Sequence, residues 1–207
     1  MELDPPEMVR MPGGAFVMGR VEGDKFGDGH EQPTEAINLP PFEMSRYPIS
    51  VDRFPLVNVD WDEANDCCRR LGSEFRLPTE WEWEYGCRAG TRSPFPSGAL
   101  PDPAEVNFLY DESGNRIGPG RLLPVGWGKP NAFGLHDMLG NVCEWTGNSW
   151  STSHGGMVLD PDIKTIRGGA WDYMPRLLRP SWRDFCHRGT RRDNLGFRVV
   201  RDLNDDE

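Results

Sequence analysis

The sequence predicts a single α+β domain rich in irregular backbone, and three observations carry that expectation. Glycine and proline, 24 and 19 residues, make up about a fifth of the 207 residues, more turn-forming residues than a helical bundle accommodates. Two short segments carry both a helix start and a helix stop signal. The other apolar runs are strand-length and punctuated by glycine. A hydrophobic content of 37%, with eight Trp and ten Phe, is sufficient for one sizeable core at this length.

Met8 to Gly19 reads as a hairpin of two short strands around Pro12-Gly13-Gly14. Residues 20–34 are polar and glycine-rich, hence loop. Glu35 to Leu39 and Phe42 to Tyr47 read as strands separated by Pro40-Pro41. Asp60, with Glu63 three residues on, caps a helix that runs to about Leu71 and stops at Gly72. Thr79 and Glu82 form a capping box for a second helix ended by Gly90. Its Trp81, Trp83 and Tyr85 are expected to pack on a sheet. Residues 91–120 form a long connection, a kind of segment that is functional or tied down by something. Further short strands are expected from Arg121 onward. The final strand runs from Leu195 to Arg201, and a frayed tail spans Asn204 to Glu207.

The formal net charge of −10 repels phosphate backbones and excludes nucleic acid as the expected partner. Six arginines crowd the end of the chain: Arg176, Arg179, Arg183, Arg188, Arg191 and Arg192. They are expected to tie down carbonyls and carboxylates. The five cysteines are odd in number and lack disulfide or zinc spacing, which fits a reducing compartment. The start has no secretory character, and no apolar run approaches membrane-spanning length. The expectation is a cytoplasmic monomer with no membrane insertion.

Several motifs occur in an order that points to one family. They are Met11 to Gly19, Pro55 to Trp61, Arg76 to Tyr85, Pro130 to Leu135, Gly140-Asn-Val-Cys-Glu-Trp145, Arg167-Gly-Gly-Ala-Trp171 and Leu195-Gly-Phe-Arg-Val199. Over nearly its whole length the chain resembles the formylglycine-generating-enzyme (sulfatase-modifying factor) domain. That resemblance implies a variant of the C-type lectin fold, with short antiparallel sheets, two helices and much irregular loop, over residues 1–207. It also exposes departures. Ile49 to Phe54 passes almost directly to Pro55, so a lobe that helps wall the enzymes' cleft is expected to be missing. The catalytic enzymes carry two copper-binding cysteines after the Gly-Gly segment, whereas this chain reads Asp172-Tyr-Met-Pro-Arg-Leu-Leu-Arg179 there. The ergothioneine-type sulfoxide synthases bind iron through three histidines of an added domain, and this chain has four scattered histidines and no such domain. Neither copper nor iron is expected, and no catalytic residue is assigned.

Between the Gly-Gly and Leu-Gly-Phe-Arg motifs, Asp172 to Asp193 follows neither a period of two nor one of 3.6. A segment pinned at both ends and unpatterned inside is a candidate binding surface. The chain is most similar there to the variable proteins of diversity-generating retroelements, in which this C-terminal region, here 166–201, is rewritten by adenine-directed mutagenesis to bind different ligands. Most of its residue types are reachable from an Asn AAY codon, while Met174 and Trp182 are not. The candidate ligand-binding residues are Asp172, Tyr173, Met174, Trp182, Asp184, Phe185, Cys186, His187, Thr190, Arg192 and Asp193. Aromatic groups among them supply rigid contact area, and Asp, Thr and His supply directional polar contacts. The expected ligand is an unidentified protein or glycan. The adjacent Cys186 and His187 point to opposite faces of extended backbone and are not expected to act together. The resemblance further implies a structural calcium site at Asp137, Gly140, Val142 and Glu144, two carboxylates and two carbonyls on a tight turn. A non-variable regulatory lectin-like module, or an oxygen-dependent enzyme, is the alternative.

Overall fold

The computed structural model describes residues 6–32, 34–98 and 100–203. Two four-stranded sheets, two short strand pairs, two α-helices and two single turns of 3-10 helix (Gly29–Glu31 and Pro175–Leu177) make up its regular structure. The α+β, C-type lectin-like class is therefore as the motifs imply.

β1 (Met8–Met11) pairs with β4 (Phe42–Ser45), from Met8 opposite Ser45 to Met11 opposite Phe42. β12 (Val200–Asp202) lies on the other side of β4 and also pairs with β7 (Phe75–Arg76), giving the order β1-β4-β12-β7. Both ends of the chain are thus anchored in one sheet. The expected hairpin of Met8 to Gly19 does not form. β2 (Gly14–Met18) pairs instead with β3 (Glu35–Leu39). Gly13, at φ +71°, sends the chain from one sheet to the other, and a Cβ there would lie 2.6 Å from the Leu39 carbonyl oxygen.

β5 (Ser50–Val51) and β6 (Phe54–Pro55) form a two-residue ladder. Helix α1 (Trp61–Leu71) and helix α2 (Glu80–Arg88) begin at the expected capping boxes. The Asp60 side chain accepts from the Glu63 amide and the Glu63 side chain accepts from the Asp60 amide, satisfying two donors that a helix start leaves unpaired. Helix α2 is buried at nearly every position. Trp83 and Tyr85 join Met11, Phe42, Met44 and Val200 in one core cluster.

The described residues of 91–120 contain no strand, only isolated bridges, and they are tied to the C-terminal segment. The amides of Leu109 and Tyr110 both donate to the Tyr173 carbonyl, and Phe95 and Phe108 pack with Leu178. The strands expected from Arg121 start only at Cys143. The Asn141 side chain stands in for a strand partner beside Leu123, accepting from its amide and donating to its carbonyl.

The second sheet has the order β10-β9-β8-β11. β8 (Cys143–Ser149) is central, antiparallel to β9 (Ile163–Arg167) and parallel to β11 (Leu195–Phe197). β10 (Asp184–His187) is its edge. The expected single strand from Leu195 to Arg201 is therefore two, β11 and β12, in different sheets. Arg198 sits at the crossing with no exposed surface, donating to both oxygens of Glu144. The tail from Asn204 lies outside the described residues.

Candidate functional site

Residues 172–193 leave the second sheet after β9 and return to it as β10 before β11. Their ends are fixed. The Trp171 amide donates to the Asn141 carbonyl, and the Asn194 side chain donates to both oxygens of Asp172. Gly169, at φ +68°, admits the return of the chain: a Cβ there would lie 2.4 Å from a methyl carbon of Leu178.

Inside the segment, arginines act as buried anchors. Arg179 donates to Asp24 at 2.8 Å and to the two oxygens of Glu31 at 2.6 and 2.7 Å. Arg183 donates to both oxygens of Glu80, at 2.7 and 2.9 Å, and to the His30 carbonyl. Arg167 reaches Glu80 at 3.4 Å and Glu84 at 2.5 Å, and Arg88 completes Glu84. Four carboxylates and four guanidiniums are thus buried together with matched charge, the condition under which buried ions are tolerated. Burial opposes ionisation of Glu80, but hydrogen bonds and charge from Arg183, with Arg167 beside it, outweigh burial and hold the carboxyl below its usual range. Glu84 is likewise held low against its burial by Arg88 and Arg167. At the exposed end, Arg188 pairs with Asp62 and Asp162, and Arg191 with Asp60 and Glu63. Four of the six clustered arginines thus tie down carboxylates.

The candidate residues divide by burial. Trp182 and Cys186, 7% and 4% exposed, pack in the core with Trp145, Ile166 and Phe197. They pack as part of the scaffold and leave little surface for a ligand. Phe185, His187, Arg192 and Asp193 are exposed, and Asp172, Tyr173, Met174, Asp184 and Thr190 are half-buried. Phe185 is 47% exposed and rests against Trp150, ring centroids 4.8 Å apart, with His30 on the same indole at 5.5 Å. Neither Trp150 nor His30 was among the expected site residues. They are brought to Phe185 from distant parts of the chain, and no local pattern marks them. Tyr173 stands edge-on to Trp182. Cys186 is buried while His187 is exposed, and the His187 ring nitrogen accepts from the Gly189 amide.

The thiols are unreactive in character. Burial raises Cys67, Cys87, Cys143 and Cys186, and pushes Cys68 up to about 12. None is poised as a thiolate at neutral pH.

At the expected calcium turn, Asp137 and Asn141 adopt left-handed backbone, φ +54° and +61°. A Cβ on Gly140 would meet the Asn107 carbonyl oxygen at 2.3 Å. Glu144 is fully occupied, accepting from Arg198 and from the Trp83 indole. Asp137 accepts one hydrogen bond, from the Gly126 amide. Burial raises the Asp137 carboxyl, with the Glu144 charge adding to it against the pull of Arg198. Arg198 pairs with Glu144, and Asp137 is left with the Gly126 amide as its hydrogen-bond donor and no ion-pair partner of its own among the described residues. Among the described residues, no cluster of three or more His, Cys, Asp or Glu side chains suits a metal ion. No helix among them is long and apolar enough to cross a membrane.

The arrangement has counterparts. The chain is 34% identical over 158 residues to the inactive C-alpha-formylglycine-generating enzyme 2 of Bos taurus, covering 71% of this chain and 50% of that protein. It is 33% identical over 168 residues to the hercynine oxygenase of Mycolicibacterium smegmatis, covering 72% of this chain and 38% of that one. The chain thus spans half or less of the length of these relatives. Among solved structures, PvdO from Pseudomonas aeruginosa superposes with a TM-score of 0.83 at 27% identity, covering 96% of this chain and 95% of that one. Treponema denticola variable protein 1 superposes with a TM-score of 0.69 at 20% identity, covering 95% of each chain, a likeness of fold. The profile of the sulfatase-modifying factor enzyme 1-like domain matches residues 1–55 and 50–203, and the chain belongs to that family.

Proposed function

We propose that this chain is a non-catalytic ligand-binding module whose surface is built on residues 172–193, as in a variable protein of a diversity-generating retroelement. The observation that carries the reading is the division of labour within that segment. Arg179, Trp182, Arg183 and Cys186 are buried and hold its path, while Phe185, His187, Arg192 and Asp193 of the same segment stand exposed. A surface that accepts many sequences needs a scaffold that does not depend on those residues. The fold shared with a protein named as variable supports the reading.

Absence of catalysis is supported by the lack of any cysteine in Asp172 to Arg179 and by the raised thiols. Copper added to the protein should give no oxygen consumption with a thiol-containing peptide, and oxygen uptake would establish an enzyme instead. The ligand class is a protein or glycan met by aromatic and acidic side chains. The location is cytoplasmic, in keeping with five free cysteines.

A calcium ion at the turn preceding β8 would be held by Asp137 and the backbone carbonyls of Gly140 and Val142, with Glu144 as a carboxylate already shared with Arg198. Its chemistry there would be structural, screening the uncompensated carboxylate.

The deciding observation is genomic. A near-copy of codons 166–198 beside a reverse-transcriptase gene, differing only where the copy has adenine, is the expected finding. Its absence would return the segment to ordinary loop and leave a non-variable lectin-like module.

A further inference from the structure

Arg88, at the C-terminal end of helix α2, lines three cavities. None of residues 172–193 lines any of them, so they are separate from the surface proposed above. The largest, about 770 Å³, has polar walls that include Arg20, Arg88, Arg92, Glu22, Gln32 and Thr34. A second, about 320 Å³, shares Val17, Arg88 and Arg92 with it and is walled by Phe16, Tyr85 and Phe133. These three rings pack together, Tyr85 lying 5.3 Å from each of the other two between ring centroids.

The charge on these walls is incompletely matched. Arg88 donates from Nε to Glu84 and from Nη2 to the Gly19 carbonyl, yet its Nη1 is buried without a partner. Arg88 itself is 4% exposed. An unpaired buried guanidinium N–H is expensive and leaves Arg88 with hydrogen-bonding capacity that the chain itself does not fill. Arg20 donates to the backbone carbonyl of Asp24 and pairs with no carboxylate among the described residues. Arg92 is exposed. Counting Arg88 as balanced by Glu84, Arg20 and Arg92 against Glu22 leaves one net positive charge, in a chain whose formal charge is −10. The wall therefore carries a small excess of positive charge on a chain that is negative overall.

We propose that these two neighbouring cavities, which share Val17, Arg88 and Arg92, together bind a small organic acid with an apolar body. The body lies against Phe16, Tyr85 and Phe133, and the anionic head lies among Arg20, Arg88 and Arg92. An apolar wall beside a few convergent polar groups is a common make-up of a small-molecule site, and a guanidinium fork suits a carboxylate.

The test is calorimetric titration of the full chain with phenylbutyrate, with the uncharged phenylbutanol, and with inorganic phosphate. Phenylbutyrate should bind saturably with one site per chain, and the other two at least about tenfold more weakly. Arg92→Glu and Arg20→Glu should each weaken phenylbutyrate by about tenfold or more, and Glu22→Gln should tighten it. Both arginines lie outside the buried ionic core, and circular dichroism would confirm that the fold is kept. Absence of saturable phenylbutyrate binding, phenylbutanol binding as tightly, phosphate alone binding as tightly, or an unchanged affinity in Arg92→Glu would each overturn the proposal.

Discussion

The Asn194 side-chain amide donates to both carboxylate oxygens of Asp172, at 2.9 and 3.1 Å. One polar pair therefore closes the two ends of the segment proposed as the ligand surface. Asn194 is also held by the sheet, since its carbonyl accepts from the Cys143 amide. Asp172 consequently acts as a clamp on the segment.

Replacing Asn194 by Asp keeps the shape and sets carboxylate against carboxylate. Loss of the hydrogen bonds at a buried position should cost about 1–3 kcal/mol in urea unfolding. Like charges in one site raise a carboxyl pKa, so the deficit should shrink as pH falls and one carboxyl takes up a proton. A variant as stable as the parent at neutral pH would show that the segment's ends need no clamp.

Arg183 joins β10 to helix α2 through Glu80 and should be hard to replace. In Arg183→Met the glutamate keeps Arg167, at 3.4 Å, and Thr165 but loses its two-pronged partner. Breaking a buried pair from one side costs about 3–5 kcal/mol. The same network gives a pH signature. Glu80 and Glu84 are held below their ordinary value of 4.5 in the folded state. Their stabilisation is fully present above that value and is lost as pH falls through the lower folded values. Unfolding midpoints should therefore hold through mildly acidic pH and drop below about 4.5. In Glu84→Gln the drop should be shallower, and an equal slope would assign acid sensitivity elsewhere.

Surface and scaffold residues of the segment should separate by stability. Changing Phe185, His187, Arg192 and Asp193 together to alanine removes exposed side chains, each expected to matter by no more than about 0.5 kcal/mol. Trp182→Ala empties a buried indole and should cost about 3–5 kcal/mol. Thermal melts of the two variants decide the matter. If the fourfold surface variant melts as low as Trp182→Ala, the segment is part of the core and a display role fails.

Much of this architecture is legible in the sequence where the determinants are local. Asp60 with Glu63, and Thr79 with Glu82, announce both helix starts because the capping bonds span only three residues. The strand partners are less legible, because pairing is a matter of distant chain. Met8 to Met11 looks like half of a hairpin with Gly14 to Met18, yet its partner begins more than thirty residues on, at Phe42. Trp182 and Cys186 lie in a stretch without period, so nothing marks them as core. Their burial depends on where β10 meets β9. The arginine anchors are foreseen by type but not by partner: Arg179 finds Glu31 across 148 residues and Asp24 across 155.

Asp137 gives the calcium proposal its sharpest form. Burial raises its carboxyl above the ordinary 3.8, with Glu144 reinforcing the effect. A raised folded-state value means that ionised Asp137 opposes folding at neutral pH, and that this penalty eases as pH falls through the folded value. Without calcium, Asp137→Asn should therefore be neutral or stabilising at pH 7. A bound calcium ion reverses the sign, because a hard dication needs the charged carboxylate. Millimolar calcium should then raise the parent's melting temperature above that in chelator, through preferential binding to the folded state, and should leave the Asp137→Asn variant unmoved. If the parent melts alike in calcium and chelator, Asp137 keeps its carboxyl without a cation, and the calcium site implied by the family is not used here.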